Sequence, residues 1–172
     1  MVEKFFKSIL VSLFCLSVSF SVSAADLILS HLDPAWKDGK EGIPDKGLCK
    51  RDGGGMSPPI KVSGIPSGTV KLLINFTDED YGDEGGHGGF EFKVSGESEV
   101  TIPSIEGGVD NMPPNMKGVI EHHGGNRNDG TYYLGPCSGG SGNTYTVYIY
   151  AKDKGDKEGE GARRAHLRAF SW

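Results

Sequence analysis

"VKLLINF" (Val70–Phe76) is an apolar, β-prone run that lies between the turn sequence "GIPSGT" and an acidic loop. A short apolar run between two turn signals is typical of a buried strand. We therefore predict that these residues form a central strand of a sheet.

Three further segments have the sequence pattern of strands. In "FEFKV" (Phe90–Val94) apolar residues alternate with Glu91 and Lys93, which gives the strand one apolar and one polar face. "EVTI" (Glu99–Ile102) follows a Ser-Gly turn. In "TYTVYIYA" (Thr144–Ala151) both alternating sets of residues have high strand preference. We expect both faces of this last strand to be covered.

Helix is scarce in this sequence. The one helix candidate is "GARRAHLRAFSW" (Gly161–Trp172), in which three apolar residues form a stripe in a segment of marginal length. The 27 glycines and 9 prolines have no fixed period and indicate abundant turns, above all in two turn-rich insertions at residues 39–55 and 107–130. These features predict a mainly β fold, an antiparallel β-sandwich with minor helix.

The first 24 residues have the organisation of a secretory signal peptide. Two lysines precede an apolar run from Ile9 to Phe20, and "VSA" (Val22–Ala24) supplies small residues for cleavage. The alternative is a retained membrane anchor, but the run is shorter than the roughly 20 residues that a spanning helix needs. We predict a signal peptide at residues 1–24, a single domain at residues 25–172, and a periplasmic or secreted protein without a transmembrane anchor after cleavage.

Cleavage would change the charge balance slightly. The whole chain has a formal net charge of −5, and the remaining chain has 16 basic and 22 acidic residues, a net charge of −6. Because phosphate binding relies on a basic surface, we do not expect nucleic acid as a partner.

Cys49 and Cys137 are the two cysteines that remain after cleavage. An even pair in an exported protein predicts a disulfide. Closing a loop of this length stabilises the fold by about 4 kcal/mol in the chain-entropy model. Two buried free thiols are the alternative.

"TDEDYGDEGGHGGF" (Thr77–Phe90) places several carboxylates and His87 directly after the central strand. A calcium loop fails because Gly82, Asp83 and Gly89 fall at the positions of an oxygen ligand, the obligatory glycine and the bidentate glutamate. This failure leaves an irregular cation site open. A solvated acidic turn without a function is the interpretation that composition favours.

A carboxylate–histidine pair is the third interpretation of this loop. An aspartate can accept a hydrogen bond from one ring nitrogen of His87 and so fix the tautomer and orientation of the ring. The other nitrogen would then face a ligand. Because a carboxylate favours the imidazolium form, such a pair could bind a phosphate or a carboxylate.

Two other motifs carry little chemistry. "HHGG" (His122–Gly125) lacks further zinc ligands at a characteristic spacing, so an exposed polar turn is expected there. Gly135–Gly139 fits the G-x-C-x-G pattern of a nucleophile elbow, but strand-like sequence follows where an elbow needs a helix. We therefore expect no catalytic residue, no metal and no cofactor.

Four motifs occur in an order that is typical of one known family. Residues 49–80 contain a cysteine, a glycine-containing turn, Ser-Pro-Pro, a Gly-x-Pro-x-Gly-Thr turn and a strand that ends in Asp-x-Asp. His87, "YYLGPC" (Tyr132–Cys137) and "GNTYTVYIYA" (Gly142–Ala151) follow in that order. The chain thus resembles the phosphatidylethanolamine-binding protein family, particularly its bacterial Raf-kinase-inhibitor-like branch, over most of residues 45 to 152.

The resemblance implies a β-sandwich with a small pocket for anionic head groups such as phosphate, and a disulfide that holds the Gly-Pro loop. The positions that match the family's pocket are Asp78, Asp80, His87, Gly135, Pro136 and Tyr145. The sequence also departs from the family pattern at Glu79, Tyr81-Gly82, Gly88 and Asn143-Thr144. Asn143 stands in place of a second histidine, and its amide can still donate a neutral hydrogen bond to a ligand.

The expected function is that of an exported, non-enzymatic binding protein for a small anion or a phospholipid head group, and a protein partner is left open. The alternative is a secreted structural or host-interaction protein whose pocket has degenerated, which the replaced histidine and the charged C-terminal segment favour. A metal-assisted hydrolase is a third hypothesis.

Overall fold

The computed structural model describes residues 27–37, 42–49, 55–81, 84–108, 111–123, 130–138, 141–155 and 165–171. These residues form eight strands and a short 3₁₀ helix at Asp45–Gly47. In chain order the strands are β1 (Ile28–His31), β2 (Ile60–Ser63), β3 (Lys71–Asp78), β4 (Gly89–Lys93), β5 (Glu99–Ile102), β6 (Met116–Ile120), β7 (Thr144–Lys152) and β8 (Ala165–Ser171). The signal peptide predicted at residues 1–24 lies outside the described residues.

The strands form two antiparallel sheets. The smaller sheet has the order β1-β2-β5 and the larger sheet the order β6-β4-β3-β7-β8. Every pairing between these strands is antiparallel. β3 lies at the centre of the larger sheet, as its apolar sequence predicts. The mainly β prediction is confirmed, and the two sheets are compatible with a sandwich.

One cluster of buried apolar side chains draws on both sheets. Its members with at most 1% exposure include Ile60, Val62 and Ile102 from the smaller sheet, and Leu72, Ile74, Phe90 and Ile149 from the larger sheet. Full burial of a side chain of this kind contributes about 1.5–3 kcal/mol relative to leaving it exposed. The two sheets therefore share one core.

The predicted alternation is present in β4 and β7. In β4 the apolar residues are buried, whereas Glu91 is half-buried and Lys93 is exposed. In β7 the face with Val147 is buried, and on the opposite face Thr146 and Tyr150 are buried as well. Both faces of β7 are thus largely covered, as expected.

Residues Ala165–Ser171 form a strand, which corrects over those residues the helix predicted at Gly161–Trp172. The backbone of β8 pairs with β7 from Ser171 opposite Thr144 to Ala165 opposite Ile149. An isolated helix of about twelve residues is marginal in water. The edge of the nine-residue strand β7 instead offers a row of backbone hydrogen-bonding groups. Pairing within the sheet therefore overrides the local helix pattern.

β6 is a strand that the sequence did not predict, because it lies within residues 107–130, which were predicted to be a turn-rich insertion. Its central residue, Gly118, weakens the strand pattern in the sequence. In the structure a Cβ atom at Gly118 would lie 2.0 Å from the carbonyl oxygen of Thr131. The glycine is needed because another stretch of backbone crosses the strand closely, and that contact is invisible in the local sequence.

Cys49 and Cys137 form the predicted disulfide, with their Cα atoms 5.1 Å apart across a sequence separation of 88 residues. The backbone N–H of Cys49 also donates to the carbonyl of Pro136 at 2.9 Å. The disulfide thus holds the loop before β7 against the N-terminal part of the domain. Such bonds are typical of a non-reducing environment. Within the described ranges, no helix has both the length and the hydropathy to cross a membrane.

Candidate functional site

The acidic loop after β3 is fastened to the start of β7 by its own carboxylates. Asp78, the last residue of β3, accepts a hydrogen bond at Oδ1 from the backbone N–H of Asp80 at 3.0 Å. Its Oδ2 accepts one from the side-chain amide of Asn143 at 2.7 Å. Asp80 in turn accepts at Oδ2 from the backbone N–H of Thr144 at 2.6 Å. We call Asp78, Asp80, Asn143 and Thr144 the carboxylate clamp.

The carboxylate clamp gives these predicted ligand-binding residues a different role. The structure brings Asp78, Asp80 and Asn143 together, as the sequence predicts. However, the side chains of Asp78 and Asn143 hydrogen-bond to each other, and both aspartates accept hydrogen bonds from backbone N–H groups. A backbone–backbone hydrogen bond, from Glu79 N–H to the Thr144 carbonyl at 2.8 Å, strengthens the same junction. Their observed contacts fix the geometry of the loop that leads to His87.

His87 is held from three sides by backbone groups. Its N–H donates to the Phe76 carbonyl and its carbonyl accepts from the Leu134 N–H, each at 2.9 Å. Its ring Nδ1 lies 2.9 Å from the Leu134 carbonyl oxygen. The ring also meets the Tyr145 ring edge-on, with centroids 5.2 Å apart. The hydrogen bond between Nδ1 and Leu134 that orients the imidazole therefore goes to a backbone carbonyl rather than to an aspartate.

The protonation of His87 follows from its burial. Desolvation lowers the pKa of His87 below 6.5 because the charged form loses hydration. The Leu134 and Gly135 carbonyls and the charge of Asp78 oppose this shift, and His122 adds to it. A neutral ring that faces a carbonyl at Nδ1 carries its proton there and leaves Nε2 as an acceptor. The imidazolium expected from a carboxylate–histidine pair would instead donate a hydrogen bond at Nε2.

A small cavity of about 20 Å³ lies beside His87. This volume holds about one water-sized group. Three predicted residues, His87, Pro136 and Tyr145, line the cavity, and Trp36 and Tyr133 also contribute to its wall. The residues of the carboxylate clamp and Gly135 are not among its lining. The cavity therefore admits only the end of a ligand.

The Gly-Pro loop is rigidly supported where it meets the cavity. The backbone N–H of Ser138 donates to the Tyr145 hydroxyl at 3.0 Å, and Cys137 is tied by the disulfide. Burial raises the pKa of Tyr145, so its hydroxyl stays protonated and can serve as a neutral polar group. The loop thus fixes both Pro136 and the Tyr145 hydroxyl at the start of β7.

Trp36 is one of the cavity residues that the sequence did not predict. A turn at Asp33 places it, because Asp33 accepts from Ala35 N–H at its side chain and from Trp36 N–H at its carbonyl, at 2.9 and 3.0 Å. The indole packs on Gly47, where a Cβ atom would lie 2.3 Å from the ring. Trp36 is 3% exposed. The sequence around Trp36 has the pattern of a turn, and that pattern does not predict which distant residues the indole contacts.

Two other sequence features are explained by the structure. Gly88, a departure from the family pattern, has a φ of 104°, and a Cβ atom there would lie 2.8 Å from the Tyr132 carbonyl oxygen. A larger residue would not fit that backbone. His122 is 6% exposed and its ring centroid lies 4.5 Å from that of Tyr132, whereas His123 is exposed. The exposed polar turn predicted for this histidine pair is therefore wrong for His122.

No group of three or more histidine, cysteine or acidic residues is placed to hold a metal ion within the described part of the chain. The chain matches no protein-family model, no curated protein and no solved structure. The geometry of the site and the sequence motifs are therefore the basis for a functional proposal.

Proposed function

We propose that this protein is an exported, non-enzymatic binding protein of the phosphatidylethanolamine-binding type, whose cavity beside His87 receives the polar end of a small ligand. One observation carries the proposal. His87, Pro136 and Tyr145 come from separate segments of the chain and line one cavity of about 20 Å³. Ligand sites are typically concave, mostly apolar and supplied with a few polar groups.

The absence of catalysis is part of this proposal. The cysteine of the G-x-C-x-G pattern, Cys137, is bonded to Cys49, so it lacks the thiolate that a nucleophile needs. Asp78 and Asp80, the acidic residues of the family-like Asp-x-Asp motif, accept hydrogen bonds within the carboxylate clamp. Neither arrangement resembles a nucleophile held by a general base. A periplasmic or secreted location is supported by the same disulfide.

The resemblance implies a small anion or a phospholipid head group as the ligand. Binding of such a ligand at this site depends on the protonation state of His87. A neutral imidazole gives an anion no charge-assisted hydrogen bond. Protonation of His87 would supply one. Since burial holds the pKa of His87 below 6.5, anion affinity should increase as the pH falls from 6.5 through that lowered value.

NMR titration of His87 tests the binding function. Phosphate, phosphoethanolamine and acetate are added separately to the mature protein at about pH 7.5 and about pH 5.5, and the imidazole signals of all histidines are followed. His87 should shift, more at the lower pH, and the exposed His123 is the internal control. If millimolar concentrations of all three compounds leave His87 unchanged at both pH values, or shift His123 equally, the anion-binding function is wrong.

A structural or host-interaction role is the second candidate. Asn143, which stands where the family has a histidine, donates to Asp78 and does not line the cavity. A cavity of about 20 Å³ is also small for a complete head group. These two observations favour a degenerate pocket, and the same titration separates the two functions because a degenerate pocket gives no His87 shift.

A further inference from the structure

Trp36 lines the cavity and carries a buried hydrogen-bond donor that is unpaired among the described residues. The residue is 3% exposed, and its indole Nε1–H has no acceptor among the residues that the structure describes. Buried donors in folded proteins are almost always hydrogen-bonded. A ligand group that accepts a hydrogen bond in this cavity would provide the partner that the indole lacks.

His87 brings the opposite kind of group to the same cavity. Its Nδ1 faces the Leu134 carbonyl oxygen at 2.9 Å, so a neutral ring carries its proton on Nδ1 and a lone pair on Nε2. Burial lowers the pKa of His87 and so favours this neutral form. The residues that line the cavity therefore include a donor on Trp36 and an acceptor on His87.

Resting on the proposed binding function, we infer that the cavity selects a neutral group that both donates and accepts hydrogen bonds, such as a primary amide or a hydroxyl, over a carboxylate or phosphate. The donor of that group pairs with His87 and its acceptor pairs with Trp36. An ionised carboxylate has only acceptors, so it would satisfy Trp36 but face the lone pair of His87.

The surroundings of the cavity strengthen this preference. Phe76, Tyr133 and Pro136 form apolar parts of its wall, and transfer of an anion into apolar surroundings is far less favourable than transfer of a neutral group. Asp78 lies close enough for its charge to act on His87, and the same charge repels an anion at that position. Polarity and charge thus favour the same class of ligand end group.

Acetamide and acetate are matched probes for this inference, because they have the same number and arrangement of heavy atoms but differ in charge and in hydrogen-bond donors. Each is titrated into the mature protein at about pH 7.5 while the Trp36 indole signal and the His87 ring nitrogens are followed by NMR. A Trp172→Phe variant assigns the two indole signals. We expect acetamide to bind at least about tenfold more tightly than acetate, a difference of about 1.4 kcal/mol.

The outcomes distinguish this inference from the proposed function on which it rests. If acetate binds as tightly as acetamide or more tightly, the selectivity for neutral groups is overturned while small-ligand binding stands. If neither probe shifts either signal at tens of millimolar, the inference fails, whereas the binding function is decided by the anion titration at about pH 5.5.

A Trp36→Phe variant tests the donor directly, since it removes Nε1–H and keeps an aromatic ring. It should weaken acetamide binding by about tenfold, and retention of affinity within about twofold would show that the indole is not the donor.

The wild-type protein provides a second measurement if the variant does not fold. Protonation of His87 is opposed by His122 and favoured by Asp78 and by the Leu134 and Gly135 carbonyls. As His87 becomes protonated, acetamide binding should weaken and anion binding should strengthen. An acetamide affinity that is constant through the His87 titration would overturn the acceptor role.

Discussion

Replacement of Asp78 by alanine distinguishes a structural carboxylate from a ligand-binding one. Asp78 is 7% exposed and accepts hydrogen bonds from Asp80 N–H at 3.0 Å and from the Asn143 amide at 2.7 Å. A hydrogen bond to a charged group contributes about 1.5–3 kcal/mol. Loss of both bonds, partly offset because a buried charge is also removed, should lower the free energy of unfolding by about 3 kcal/mol.

A double-mutant cycle with Asn143→Ala isolates one of these bonds. The Asn143→Ala variant alone should lose about 1.5 kcal/mol, and the double variant should lose about 1.5 kcal/mol less than the sum of the two single variants. Urea denaturation of the four proteins gives these values. Asp153→Ala is the matched control, because its side chain accepts a local, exposed bond from Gly155 N–H. It should change stability by less than about 0.5 kcal/mol.

The cycle also has a clear negative result. A coupling energy below about 0.5 kcal/mol, the usual scatter of additivity, would show that Asp78 and Asn143 do not stabilise the protein through each other. An Asp78→Ala protein of unchanged stability that fails to shift the His87 signals with ligand would assign Asp78 to the ligand after all. The carboxylate clamp would then be wrong as a description of this loop.

Three further predictions concern protonation, the disulfide and a glycine. Below pH 6.5 the unfolded chain binds a proton at His87 that the folded protein, with its lowered pKa, does not. The free energy of unfolding should therefore decrease as the pH falls from 6.5 through the folded-state pKa, and urea denaturation of His87→Gln should show a smaller decrease. Replacement of both Cys49 and Cys137 by alanine removes a cross-link between residues 88 apart and should lower stability by about 4 kcal/mol, and a loss below about 1 kcal/mol would contradict this. Gly88→Ala combines a φ of 104° with a Cβ contact of 2.8 Å to a backbone oxygen and should lower stability by about 3 kcal/mol or more, whereas Gly96→Ala, with a φ of 101° and no atom within 4 Å, should lose about 1–2 kcal/mol. Equal losses for the two glycine variants would show that the contact at Gly88 is unimportant.

The parts of the fold that sequence predicts are those with a visible pattern in a single segment. β3 contains most of the apolar run that was predicted as a strand, and β4 and β7 alternate strongly, so their positions follow from local sequence. β8 and β6 depend on distant partners. β8 is stabilised by pairing with β7, and Gly118 in β6 fits the Thr131 backbone. Local propensity is weak where tertiary contacts decide the structure.

The candidate site shows the same division. Motif order brings His87 and Tyr145 together in prediction, and the structure places their ring centroids 5.2 Å apart. The choice of hydrogen-bond partners could not be predicted in this way. Proximity in the chain suggests that an aspartate of the acidic loop pairs with His87, but Asp78 bonds Asn143 and the Nδ1 atom of His87 bonds Leu134. Both partners lie far along the chain, and their positions depend on the packing of β7 and the Gly-Pro loop.

The partner of one ring nitrogen determines what this site can bind. A carboxylate at Nδ1 of His87 would stabilise the imidazolium and make Nε2 a cationic donor suited to phosphate. The Leu134 carbonyl at that position fixes the same tautomer without adding a full negative charge. Burial then exceeds the more distant influence of Asp78 and lowers the pKa of His87. Two proteins with the same histidine, tyrosine and proline around a cavity can thus prefer ligands of opposite hydrogen-bonding character, because the preference resides in the atom behind the imidazole.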